Sequence, residues 1–106
     1  MITYLGEFEQ LVMLAVIRHG RAATAAAVRS TVEDASERKV WIGAVHTTLD
    51  RLEDKGLVRS SVVELKEAGG QRRKVFALTA EGDRSINRAY ATWQRATRGL
   101  KLKFEG

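Results

Sequence analysis

The chain has 106 residues, the size of a single domain, and its 44% of hydrophobic residues is enough for one modest core. It contains no cysteine, which excludes disulfides and thiolate zinc sites, and its net charge of +5 with a pI near 10.0 favours an anionic partner such as nucleic acid. Because the apolar run Leu11–Ile17 is far shorter than the roughly 20 residues of a membrane span, and the N-terminus lacks the pattern of a secretory signal, we expect a cytoplasmic protein with no membrane partner.

The N-terminal segment has the pattern of an amphipathic helix. Gly6 can cap it, and Glu7 and Glu9 near its start suit the positive end of the helix dipole. Gly20 is expected to end it. The residues of its broad apolar stripe, which should face the core, are Phe8, Leu11, Val12, Leu14, Ala15 and Ile17.

A second helix is predicted over the alanine-rich stretch "TAAAVRSTVEDA", residues 24–35. Its apolar side contains Ala25, Val28 and Val32. Residues 36–39 are polar and indicate a loop, and "KVW" at 39–41 is consistent with a very short strand.

A third helix is predicted from Ile42 to Gly56, where the glycine suits a left-handed C-terminal position. Trp41, just before this helix, is expected to be a packing or interface residue. Four apolar residues at steps of three and four should form the inner face of the helix: Ile42, Val45, Leu49 and Leu52.

The hydrophobic period changes to two after Gly56, which indicates strands. A first strand is predicted over Leu57–Leu65, and Gly69-Gly70 provides a turn. The segment Arg72–Leu78 then returns as a second strand, so the pattern predicts a hairpin.

The last helix is predicted to begin after Thr79, a favourable N-cap, with Glu81 in its first turn. Its apolar residues step by alternating fours and threes, a narrow seam typical of a helix that pairs with another helix. The seam consists of Ile86, Tyr90, Trp93, Thr97, Leu100 and Phe104. Because a chain of this length has no further element to cover the seam, we expect a homodimer. The expected interface residues are Ile86, Tyr90, Trp93 and Leu100.

Three helices, a hairpin and one more helix are the element order of a winged helix-turn-helix, a mainly α fold with a small β-hairpin. Residues 1–80 are expected to form the DNA-binding part and residues 81–106 a C-terminal dimerisation helix, within one compact domain.

Two groups of residues suit double-stranded DNA. Gly43 and Ala44 are small enough to let the third helix approach the major groove closely. The side chains that can hydrogen-bond there are His46, Thr47 and Arg51. At the hairpin tip, the residues expected to contact phosphates are Arg72, Arg73 and Lys74.

These residues also have simpler interpretations. His46 could be a solvated surface histidine, and Arg51 could pair with Asp50 or Asp54 on its own helix. The basic run Arg72–Lys74 could be a solvated strand edge that discourages aggregation.

Catalysis has no support in the sequence. His19 and His46 are far apart, and no nucleophile motif, phosphate loop or metal-ligand spacing accompanies them. We therefore expect no enzyme activity, no catalytic residues, no metal and no cofactor.

The chain resembles the PadR family of bacterial transcriptional regulators in three stretches: "LGEFEQLVMLAV" (5–16), "IGAVHTTLDRLEDKGLV" (42–58) and "GGQRRKVFALTAEG" (69–82). The resemblance implies a homodimer whose last helix, often with the first, forms the interface. It also implies an operator bound in two half-sites, usually to repress a nearby gene. Some members hold flat aromatic ligands between tryptophans at the interface, so Trp93 is a candidate contact for a small aromatic effector. A plain hydrophobic anchor is its other interpretation.

Two functions of different classes follow. The first is a sequence-specific DNA-binding transcriptional regulator, expected to be a homodimeric repressor of a nearby operon. The second is a winged-helix module that uses the fold for protein–protein contacts. The basic wing and the hydrogen-bonding face of the third helix favour the first.

Overall fold

The computed structural model describes residues 5–102, apart from the side chain of Glu67. Its helices and strands follow one another in the order predicted from the sequence, and the mainly helical architecture with one hairpin is confirmed. The elements are α1 (Glu7–His19), α2 (Ala25–Ser36), α3 (Ile42–Asp54), β1 (Val58–Leu65), β2 (Gln71–Leu78) and α4 (Ala80–Thr97), with single 3₁₀ turns at Gly20–Ala22 and Lys66–Ala68.

Local hydrogen bonds explain where three of the helices begin. The Glu9 carboxylate accepts a bond of 3.0 Å from the backbone N–H of Gly6 before α1. The hydroxyl oxygens of Thr24 and Thr79 accept bonds of 3.1 and 3.0 Å from backbone N–H groups in the first turns of α2 and α4. Each bond satisfies a donor that the helix itself cannot pair. At the other end of α3, Gly56 has a φ of 75°, a left-handed conformation that a residue with a Cβ adopts only with strain.

The first three helices pack around one core, and the hairpin covers part of it. Side chains that are almost fully buried come from every helix and from both strands, among them Val12, Met13, Val28, Val32, Val45, Leu49, Leu52, Val58, Phe76 and Ile86. The backbone N–H of Phe76 donates to the carbonyl of Ala23 at 3.0 Å, which attaches β2 to the segment before α2.

The hairpin is antiparallel, with Val58 opposite Leu78 at its base and Leu65 opposite Gln71 near its tip. Its base is also fastened to the start of α4. Thr79 donates its backbone N–H to the carbonyl of Leu57 at 3.0 Å and its hydroxyl to the carbonyl of Gly56 at 2.6 Å. The hairpin and α4 are therefore held together at the point where α3 ends.

Three apolar residues predicted to face the core are only partly covered. Ile42 is 38% exposed, and Leu14 and Ile17 are each 50% exposed. Ile42 is the first residue of α3, and the neighbouring helices cover it only in part. The inner face of α3 consists instead of Val45, Thr48, Leu49 and Leu52. The periodicity was correct in direction, but it did not reveal how far along each helix the covering elements extend.

Two further predictions are wrong. Residues 39–41 form no strand, because the only partner of β1 in the described sheet is β2. The last helix ends at Thr97, with Arg98 as its C-cap, so Leu100 lies beyond it rather than on its seam. Phe104, which was predicted to continue the seam, lies outside the described residues.

Candidate nucleic-acid interface

The outward side of α3 is a continuous surface of exposed residues. Val45, Thr48, Leu49 and Leu52 turn inward, which leaves the rest of the helix to solvent. The exposed residues from the N-cap of α3 to its end at Asp54 are Trp41, Ile42, Gly43, Ala44, His46, Thr47, Asp50, Arg51 and Asp54. All five α3 residues predicted to contact DNA therefore lie on the outside, and the first two of them bring small side chains to the N-terminal end.

The start of α3 is held in place by α2. The backbone N–H of Val40 donates to the Glu33 carboxylate at 2.9 Å, and the carbonyl of Val40 accepts a bond of 2.8 Å from Nε of Arg29. Nη2 of Arg29 also lies 3.7 Å from the same carboxylate. Because both backbone groups of Val40 are bound, the turn between α2 and α3 has a defined geometry, and so has the direction in which α3 leaves it.

The C-terminal end of α3 is held by α1. Nζ of Lys55 lies 2.7 Å from the Glu9 carboxylate, the same group that caps α1. Burial raises the pKa of Glu9, but the hydrogen bonds from Lys55 and from the N–H of Gly6, with the positive charges of Lys55 and Arg51, outweigh it and hold the pKa below its ordinary value. Glu9 is therefore ionised at neutral pH and ties two helix ends together.

The hairpin is joined to α3 by Glu53. Its carboxylate accepts bonds of 3.2 and 2.9 Å from the backbone N–H and the hydroxyl of Ser60 on β1. Successive residues of a strand point to opposite faces, and Ser60 is opposite Phe76 in the register. The face of the hairpin that carries Ser60 and Phe76 is therefore the one turned toward α3.

This geometry divides the basic run of the wing. Arg72 and Lys74 share the face of Phe76, and Nζ of Lys74 lies 5.5 Å from the centre of its ring. Arg73 is on the opposite face, where its guanidinium donates to the side-chain oxygen of Gln71. All three cations are exposed. Two of the three predicted phosphate contacts thus lie on the α3 side of the wing.

The contacts of Arg51 and His19 bear on the simpler interpretations of these residues. Among the ion pairs of residues 5–102, none joins Arg51 to Asp50 or Asp54. Nε2 of His19 lies 2.6 Å from the hydroxyl of Thr31, so this histidine connects α1 to α2. No group of three or more potential metal ligands was found within the described part of the chain.

A second set of exposed residues, here called the apolar surface, comes from α4 and α1. Tyr90 and Trp93 on α4 are each 62% exposed. Leu14 and Ile17 on α1 are each 50% exposed. Ile86, which was predicted to belong to the same seam, is buried in the core of its own chain. The exposed part of the seam therefore begins at Tyr90.

Comparison with known proteins places this architecture in a family. The chain matches the PadR-like family of transcriptional regulators over residues 13–88, which include α2, α3, the whole hairpin and the start of α4. The chain belongs to this family. It is a transcriptional regulator with a winged-helix DNA-binding fold, and the family and fold are those of regulators rather than of enzymes. No curated protein sequence matches it.

Solved structures of similar shape include other regulators. A PadR-like transcription factor from Bacteroides fragilis is 25% identical with a TM-score of 0.68, over 88% of this chain and 85% of that one. F93 from STIV, a winged-helix DNA-binding protein, is 15% identical with a TM-score of 0.70, over 93% and 100%. A putative transcriptional regulator from Thermoplasma acidophilum is 13% identical with a TM-score of 0.63, over 83% and 84%. The last two similarities concern the fold alone.

Sequence reasoning missed the residues that hold this PadR-like regulator's α3 in place. The spacing of Arg29 and Glu33 is a recognisable pairing signal on a helix, but their shared target, the backbone of Val40, is not. The pair of Glu9 and Lys55 spans 46 positions, so no local pattern indicates it. No helix within residues 5–102 is both long and apolar enough to cross a membrane.

Proposed function

We propose that this PadR-like regulator is a homodimeric, sequence-specific DNA-binding protein that represses a nearby operon. In this proposal His46 and Thr47 on α3 read base edges in the major groove, and Gly43 and Ala44 permit the close approach. Arg51 lies farther along the helix and contacts the backbone, as does the basic tip of the wing.

The observation that carries the proposal is that α3 exposes its N-terminal half and is held to other helices at both of its ends. A reading helix must present its side chains at a defined angle, and here Val40 holds one end to α2 while Lys55 holds the other to α1. From residue 38 to residue 49 the chain contains no carboxylate, so this end of the helix carries no charge that repels phosphates.

A dimer is supported by the second, apolar surface. Tyr90 and Trp93 on α4, and Leu14 and Ile17 on α1, leave large side chains in water when the chain is alone. The last helix of one protomer packed on the first helix of its partner would cover both sets. Such a dimer carries two copies of α3, which suit a palindromic site with half-sites about 34 Å apart.

A binding selection on randomised duplexes tests the proposal. We expect the wild type to enrich a palindrome, and we expect His46→Ala and Thr47→Ala each to lose about 1–3 kcal/mol on it and to relax the preference at particular base pairs. Arg51→Ala is the matched control on the same helix, because loss of a backbone contact weakens all duplexes evenly.

The opposite result would favour the alternative function. If wild type and both variants enrich the same sequences with equal affinity, α3 is not the reading helix. If the wild type enriches nothing and binds random duplexes weakly, the winged helix serves protein–protein contacts instead.

A further inference from the structure

Trp41 is the most exposed large hydrophobic residue of the described chain. Its relative exposure is 85%, so of its two predicted roles packing within the chain is wrong, and a role at an interface stays a prediction. It occupies the N-cap of α3, where it makes no capping bond. Serine, threonine, aspartate and asparagine are the residues that stabilise this position, because their side chains accept a bond from a free N–H of the first turn. Trp41 thus contributes neither a cap nor core packing to the isolated chain.

The other helices show that this chain caps its helices elsewhere. Thr24 and Thr79 supply the caps of α2 and α4, and Glu9 satisfies the N–H of Gly6 at the start of α1. Of the four α-helices in residues 5–102, α1 and α3 have no bond from the side chain of the N-cap residue, and only at α1 does another side chain, that of Glu9, bind a backbone N–H of the helix start. The stability that a cap would contribute is absent at the end of the helix that faces outward.

The backbone that carries the exposed indole is held in a fixed position. Val40, the residue before it, has both backbone groups bound to α2, and the carbonyl of Trp41 accepts bonds of 3.0 and 3.3 Å from the N–H groups of Ala44 and Val45. The backbone on both sides of Trp41 is therefore ordered before any partner arrives, so binding costs little backbone entropy there.

The surroundings of Trp41 suit DNA. The side chain of Ile42 extends the apolar surface, and the exposed Arg38 and Lys39 precede it. Cations beside an apolar tip match the chemistry of a thymine-containing major groove, where phosphates flank the C5-methyl group of the base. A partner protein would gain from the cations only where its own surface is acidic, whereas DNA is anionic along its whole length.

We propose that Trp41 is a specificity-determining residue that packs against a thymine methyl group in the major groove, with Ile42 beside it and with Arg38 and Lys39 on neighbouring phosphates. This inference rests on the proposed function. It adds to the hydrogen-bonding residues His46 and Thr47 an apolar contact about one and a half turns earlier, at the N-cap of α3. It also accounts for a tryptophan at a helix cap.

Two variants and a modified duplex test this inference. Trp41→Ser restores a cap, so we expect its melting temperature to rise while its affinity for the selected operator falls about 5- to 30-fold. Trp41→Phe keeps an apolar ring and no cap, so it should retain affinity within about 3-fold. Replacing single thymines by uracil removes one methyl group at a time, and one replacement per half-site should weaken the wild type about 3- to 5-fold and Trp41→Ser hardly at all. The other thymines serve as internal controls.

Each contrary result has a distinct meaning. Unchanged operator affinity in Trp41→Ser, with the same uracil sensitivity as the wild type, overturns the inference while leaving the proposed function intact. A lower melting temperature in Trp41→Ser also overturns it, because Trp41 would then stabilise the free protein. Loss of the dimer in sedimentation, with uracil sensitivity retained, would assign Trp41 to a protein interface. A wild type without any preferred duplex would mean instead that the proposed function itself is wrong.

Discussion

Gly82 lies where α4 passes over the carbonyl of Leu57, and a single added methyl group there should destabilise the fold. A Cβ on Gly82 would lie 1.9 Å from the carbonyl oxygen of Leu57 and 2.9 Å from its carbon. A carbon atom and a carbonyl oxygen ordinarily approach no closer than about 3.3–3.6 Å, so the two segments would have to separate by roughly 1.5 Å. Thr79 opposes that movement, because it is bonded to Leu57 and to Gly82.

The magnitude of the effect follows from these contacts. Overpacking of a close contact costs about 1–3 kcal/mol, and each weakened hydrogen bond adds about 1 kcal/mol. Alanine returns at most about 1 kcal/mol through its better helix propensity. We therefore expect Gly82→Ala to lower the free energy of unfolding by about 2–4 kcal/mol, which corresponds to a fall in melting temperature of roughly 10–25 °C for a domain of this size.

Gly43→Ala is the matched control for this prediction. Gly43 is also inside a helix, but a Cβ there would meet no atom within 4 Å. The same substitution should therefore raise the free energy of unfolding by up to about 1 kcal/mol. Thermal unfolding followed by circular dichroism compares the two at one protein concentration, because the melting temperature of a dimer would depend on concentration. A Gly82→Ala protein that melts within about 2 °C of the wild type would refute the steric argument.

Three further predictions concern the wing, the tie between α1 and α3, and the last helix. Arg72→Ala and Lys74→Ala, measured singly, should each lower the slope of log affinity against log salt by about 0.9 per lost phosphate contact. Arg73→Ala, on the other face of the hairpin, should change the slope less, and equal effects in a salt titration would contradict the assignment of faces. Glu9→Gln should lower stability at pH 7 by about 1–3 kcal/mol. Because the folded-state pKa of Glu9 is lowered, its contribution to the free energy of unfolding is complete above the ordinary glutamate pKa and is lost as pH falls through the folded value. In urea unfolding, the difference in stability between wild type and variant should therefore shrink in acid. A difference that grows in acid would contradict this assignment. Trp93→Ala should weaken dimerisation by about 2–4 kcal/mol, and a compact wild-type monomer at micromolar concentration in sedimentation equilibrium would rule out the dimer.

Local patterns determined the order of the elements and several of their ends. Apolar steps of three and four indicate helices and alternation indicates strands wherever they occur, because both periods come from backbone geometry. The roles of Thr79 and Gly56 were equally predictable, since a cap needs only a hydroxyl and a left-handed residue needs only the absence of a Cβ. The outward position of His46 and Thr47 follows from the same periodicity.

Contacts between distant segments decided the rest. Ile42 was predicted to be buried and is partly exposed, because burial depends on which neighbour covers each turn of α3, and the period of one helix contains no information about its neighbours. The attachment of Val40 to α2, and of Lys55 to Glu9, joins groups that approach each other only when the core has formed. The sequence by itself therefore determined which residues α3 presents to a partner, except for Ile42. Only the tertiary structure determined the angle at which α3 presents them, because that angle is set by long-range bonds at its two ends.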